Sequence, residues 1–181
     1  VELMSILFRL AGNREYRQGR VASYVNDVEE HFGPHRGHAA VKTADRLRRT
    51  YGVSYDAVMS MAVHLTDADT LGEAVPFEPH PEDLDERWKT HEARLFLDQA
   101  RDFAEKSDFA GFLKEHEKLY ATAVERFEAV LKEHGRLEWF DEFFGKRAGA
   151  EFTVALGMLN GPANYGTRLK RGRSDETLYC V

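Results

Sequence analysis

The hydrophobic spacing of this chain changes once, at Glu151, and that change limits the fold more than any other feature. Before it, apolar residues return every three or four positions, as on one face of a helix; after it they alternate, as on a strand. Helices first and strands last, without regular exchange between them, place the chain in the mainly α, α+β class. The expected architecture is a multi-helix body over 1–150 followed by a small antiparallel β-meander over 151–181.

Met4, Leu7, Phe8 and Ala11 share one helix face ahead of Gly12 and Asn13. Tyr24, Val25, Val28 and Phe32 form a second stripe that stops at Gly33 and Pro34. Ala40, Val41, Ala44 and Leu47 mark a third, stopped by Gly52, and Ser54 is the expected cap of a fourth through Val58, Met59 and Ala62. Between 67 and 83, Gly72, Pro76, Pro79 and Pro81 interrupt any helix, so this stretch is expected to be a surface crossing or a hinge. Two long helices over 84–106 and 109–134 should then pack antiparallel across Ser107 and Asp108. Phe140, Phe143 and Phe144 predict a short amphipathic helix before Gly145.

From Glu151, the residues Phe152, Val154, Leu156 and Met158 alternate with smaller or polar neighbours. Gly161 and Pro162 turn the chain, Tyr165, Thr167 and Leu169 alternate again, and a turn over 172–175 leads to the last run, Leu178, Tyr179, Cys180 and Val181. That run reads as a strand without all its neighbours, and a strand needs partners for its backbone groups. The chain is therefore expected to be a segment of a longer protein.

Composition excludes several classes. With 181 residues, 43% apolar and 31% charged, the chain has the balance of a globular domain rather than a disordered or fibrous one. Its 25 basic and 31 acidic residues, net −6, give no general attraction to nucleic acid or to an anionic membrane. One cysteine, Cys180, allows no internal disulfide, which is compatible with the cytoplasm. No signal peptide is visible, and a leader already removed would leave the same sequence.

Eight histidines invite a search for metal ligands, and their spacing decides it. The helical pattern His-Glu-x-x-His, which sets two imidazoles and a general base on one face, is absent. His91-Glu92 and His116-Glu117 each supply only its first half. His31, His35 and His38 cluster around two glycines, and no carboxylate or thiolate completes the set. No metal ligand set is therefore assigned. Enzyme chemistry within the chain would have to draw on His38, His64 or His91 with Glu92, and the imidazoles on apolar stripes are expected to make structural hydrogen bonds instead. The basic runs at Arg46, Arg48 and Arg49 and at Lys170, Arg171 and Arg173 carry no aromatic stacking platform for nucleic acid.

The opening Glu2-Leu3-Met4-Ser5-Ile6-Leu7-Phe8-Arg9-Leu10-Ala11-Gly12-Asn13 carries a resemblance, together with Tyr24, Phe32, His38, Val41 and the stretch Gly52-Val53-Ser54-Tyr55-Asp56-Ala57-Val58. It resembles the front of an uncharacterised bacterial family that is itself similar to gluzincin-type zinc metallopeptidases. Gly157-Met158-Leu159-Asn160 and Asn164-Tyr165-Gly166 fit the same pattern. The resemblance implies a helical body leading into a small sheet whose edge lies along a substrate cleft, with the zinc-binding helix beyond Val181. On that footing 151–181 is the start of a following peptidase-like domain, and Gly157, Met158, Asn160, Asn164 and Tyr165 are the candidates for the substrate edge. Zinc would belong to the longer parent, with none bound in this chain.

Two functions follow as expectations. In the first, the chain is the noncatalytic N-terminal part of a zinc-dependent peptidase, supplying a helical scaffold and a substrate-side edge strand; its partners are a peptide substrate and the downstream domain. In the second, it is a self-contained helical interaction module whose terminal strand binds a partner or a second copy.

Overall fold

The computed structural model describes residues 1–136, 138–146, 150–172 and 175–181. Eight helices occur among them: α1 (Glu2–Leu10), α2 (Ala22–Phe32), α3 (Ala39–Tyr51), α4 (Asp56–Val63), α5 (Thr90–Lys106), α6 (Phe109–Glu115), α7 (Glu117–His134) and α8 (Glu138–Phe144). Three strands follow, β1 (Ala150–Val154), β2 (Gly166–Lys170) and β3 (Glu176–Cys180). The mainly helical α+β class is thus observed.

α1 is the centre of the helical body. Every residue from Leu3 to Leu10 is buried, including Ser5 and Arg9, so neighbours surround it where the spacing predicted a single inward face. The guanidinium of Arg9 is held by the Glu29 carboxylate at 2.8 Å and the Tyr16 carbonyl at 3.0 Å, which is how a buried cation is tolerated. Phe8 meets Trp88 and Phe96 at ring-centroid separations of 6.0 and 5.8 Å. Trp88 is itself fully buried, and its indole N–H donates to the Ala57 carbonyl at 2.6 Å.

Local rules explain where the helices stop. Gly52 ends α3 at φ +71°, a left-handed cap that glycine adopts without a Cβ clash, and its N–H bonds back to Arg48. His38 caps the start of α3 through Nδ1, which accepts the Ala40 N–H. Asp108 caps α6 by accepting the Gly111 N–H at 3.2 Å.

Two expectations about helices need correction. The predicted 84–106 helix begins only at Thr90, because Leu84 and Trp88 enter the core from an irregular segment. The proline-rich stretch before it crosses the surface with Leu71, Phe77 and Leu84 buried, and each such side chain contributes about 1.5–3 kcal/mol. The predicted 109–134 helix is two, broken at His116, whose ring bonds the Phe112 carbonyl and faces Asp27. Beyond Tyr120, α7 also leaves the core, with no buried residue along its length and Val124 and Val130 in water.

The sheet is mixed and its order is β1-β3-β2, not the antiparallel meander that the alternation predicts. β2 and β3 do form the expected antiparallel hairpin, with Thr167 opposite Tyr179. β1 instead lies parallel to β3 on its other side, with Phe152 opposite Leu178. The connection between β1 and β2 permits this, because it runs into the core at Leu159 and Asn160 and leaves space for the last strand between the first two. The terminal strand is consequently central and bonded on both flanks, which removes it as the free edge expected above. Leu159, Tyr165 and Val181 join the same hydrophobic core as the helices.

Candidate functional site

Hydrogen-bond parity decides which backbone groups of a three-stranded sheet are left for another chain. Tyr165 and Val181 exchange both bonds at 2.8 and 3.0 Å, and Arg171 N–H donates to Asp175 at the far end of the hairpin. Tyr165, Thr167 and Leu169 therefore face β3, while Gly166, Arg168 and Lys170 direct their N–H and C=O groups away from it. On the other side, the Ala155 N–H donates to the Cys180 carbonyl at 2.8 Å. Glu151 and Thr153 accordingly face β3, and Phe152 and Val154 direct their main-chain groups to the open edge.

The β2 edge is fastened to the helical body at its Lys170 end. The carboxylate of Asp83, with only 3% of its side chain exposed, accepts the outward N–H of Lys170. Its other oxygen lies 3.6 Å from Nε2 of His64. Nδ1 of His64 donates to the Ser60 carbonyl at 2.7 Å, fixing the ring at the end of α4. The Ser60 hydroxyl in turn accepts the Asp85 N–H at 3.0 Å. These bonds stitch α4, the 83–85 turn and β2 together. A shallow cleft of about 440 Å³ remains, walled by Asp56, Ser60, Asp83 and Asp85 and floored by Gly166 and Arg168. Arg87 spans Asp56 and Asp85 at 2.7 Å each and, through its hydrogen bond to Asp85, holds that carboxyl below its usual range.

The β1 edge has a different character. Phe152 is 70% exposed and Val154 46% exposed. Register places them on the same sheet face as Leu178 and Cys180, opposite the face that carries the buried Leu169 and Thr177. Together they floor an apolar groove of about 600 Å³, rimmed by Glu138 and Asp141 of α8. No described residue bonds the outward main-chain groups of Phe152 or Val154.

The residues singled out in the sequence lie elsewhere. The Met158 N–H donates to Glu2 at 3.3 Å, and Asn160 meets the Ser5 hydroxyl at 3.3 Å, with 2% of its surface exposed. A Cβ at Gly157 would meet the Asn160 side chain, and one at Gly161 would meet the backbone of Gln18, so this loop is clamped to the body. Tyr165 is paired to Val181 and buried, its hydroxyl pushed up to about 12 by desolvation. Asn164 is exposed and donates to the Pro162 carbonyl. These five residues form no edge strand; the edges lie on either side of them, at β1 and β2.

The polar candidates do not form one site either. His38 is engaged by Ala40 and by Asp102 at 3.0 Å, and Glu92 is held by both nitrogens of the Arg46 fork. His91 is exposed, whereas His64 is fully buried against Asp83. His31 bonds the Ser107 carbonyl, away from His38, so that histidine cluster is split as well. Among the described residues no group of three or more His, Cys, Asp or Glu side chains is arranged to hold a metal ion, and no helix is long and apolar enough to cross a membrane. Sequence does not single out Phe152 and Val154, because alternation marks two faces without saying which one meets the core. The one sequence signal was the pair Arg168 and Lys170, which register puts on the same face as Phe152. No family model, curated protein or solved structure matches the chain.

Proposed function

We propose that this chain is a helical interaction module that presents β1 for the addition of another strand. The observation that carries the reading is the combination at Phe152 and Val154 of outward main-chain groups with outward apolar side chains. Natural sheets blunt their edges with charges, bulges or covering elements, as β2 does here; an edge left flat and apolar is one that pairs. Strand addition obtains affinity from main-chain hydrogen bonds and selectivity from alternate side chains, and the groove beside β1 supplies an apolar floor for those side chains.

The resemblance to gluzincin-type peptidases adds a use for the same edge. In a longer zinc-dependent protein it would hold an extended peptide substrate or the next strand of the downstream domain, while the helices served as scaffold. Such a role asks for no catalytic group within these residues.

Binding of a short labelled peptide alternating valine with threonine, followed by fluorescence anisotropy, tests the reading. Phe152→Asp should weaken binding by at least about tenfold, equivalent to about 1.4 kcal/mol, with Arg168→Glu leaving it unchanged. Binding that survives Phe152→Asp, or that Arg168→Glu abolishes, would remove β1 as the docking edge.

A further inference from the structure

The β1 edge and the β2 edge differ in one respect that bears on the identity of the added strand: their behaviour toward a copy of themselves. A closed two-fold dimer through sheet edges requires antiparallel pairing of a strand with itself, the same patch meeting on both subunits. For β1 the outward residues 150, 152 and 154 are symmetric about Phe152. Centred there, the two-fold sets Phe152 opposite the Phe152 of the second copy and Val154 opposite its residue 150. Every outward N–H then meets an outward C=O, giving roughly six main-chain hydrogen bonds.

Charge permits that register. Glu151 comes opposite Thr153 of the second copy, so no like charges meet across the pair, and the centre is an aromatic pair on the open sheet face. The same operation on β2 fails at each step. It is centred on Arg168, which would face another Arg168, and Lys170, whose N–H is already bonded to Asp83, would lose its partner. The last strand cannot take part, being bonded on both sides.

We infer that the strand added to β1 is the β1 of a second copy, joining two three-stranded sheets into one continuous sheet across a two-fold axis at Phe152. The inference rests on the strand-addition reading above and narrows its occupant to this chain itself. The neighbouring groove widens the contact, since the apolar row of Phe152, Val154, Leu178 and Cys180 extends across the joint from both sides.

Light scattering over a concentration series of the whole chain is the first arm of the test. The mass should rise from 20.7 kDa toward twice that value, and Phe152→Lys should weaken the association by at least about tenfold while Arg168→Glu leaves it intact. Phe152 is mostly exposed, so the variant is expected to fold. The second arm reads register. In a Cys180→Ser background, Phe152→Cys should form an intermolecular disulfide under mild oxidation, because the central pair sets Cα atoms about 5.5 Å apart, and Thr153→Cys should cross-link far less. A mass that stays monomeric at every concentration overturns the self-pairing while the peptide measurement still judges the edge. A dimer untouched by Phe152→Lys, or cross-linking equal at the two positions, overturns it too.

Discussion

β2 and β1 border the same central strand, yet one is fastened to the protein and the other faces water. On β2, Asp83 bonds the outward N–H of Lys170, α4 runs alongside, and Leu169 points fully buried toward the helices. On β1, Phe152 and Val154 are exposed on the face that carries Arg168 and Lys170 farther along the sheet. A three-stranded sheet needs only one anchored edge to be held in place; the second is then free of structural duty. The division of labour follows from chain order, since β2 and β3 form a hairpin against the helical body and β1 joins on the far side of β3.

Substitutions measure how unequal the two edges are. Leu169→Ala should lower stability by about 3 kcal/mol in urea unfolding, because the side chain is completely buried and its removal leaves a cavity. Asp83→Ala should cost about 2 kcal/mol, since it leaves the outward Lys170 N–H without its acceptor beside the helical body; Asp83→Asn, which keeps a carbonyl oxygen, should recover part of that loss. Equal costs for Asp83→Ala and Asp83→Asn would mean that charge, not the hydrogen bond to β2, fastens this edge.

A smaller effect depends on pH. Arg87 holds the Asp85 carboxyl below its ordinary value, so the unfolded chain takes up that proton first as pH falls. The contribution of the pair is therefore complete above the usual carboxylate range, near pH 4, and is lost as pH falls through the lowered folded value. The stability gap between the parent chain and Asp85→Asn should be present at neutral pH and shrink in acid. A gap that widens in acid would reverse the assignment. The smallest effect belongs to β1: Phe152→Ala, measured at low protein concentration, should change monomer stability by less than about 0.5 kcal/mol, as expected of a side chain 70% exposed. A loss comparable with Leu169→Ala would show that β1 is structural and erase the contrast.

Much of the helical body was legible in the sequence because its periodicity is a local property. Gly52, Asp108 and the stripes through Phe8, Val28 and Leu47 each carry their own signal. The start of α5 was not, because Leu84 and Trp88 have helical spacing but are buried from an irregular segment that the core selects over helix. Sheet order was not legible either. Alternation identifies a strand but carries no information on its neighbour, and the insertion of the last strand between the first two depends on how the 155–165 connection packs. The candidate site suffered most from this. Gly157, Met158, Asn160 and Tyr165 sit between the strands and are tied into the body, while Phe152 and Val154 imitate core residues until register places them beside Leu178 on the face opposite Leu169.

Residue-resolved amide hydrogen exchange, with and without a saturating strand peptide, tests the contrast between the edges most directly. Free, the Phe152 and Val154 amides should exchange rapidly while Lys170, bonded to Asp83, is protected. On peptide addition, Phe152 and Val154 should become protected, with Gly166 and Arg168 unchanged. Protection gained at Gly166 and Arg168 instead, or Phe152 and Val154 amides already protected in the free monomer, would contradict the assignment of β1 as the open edge.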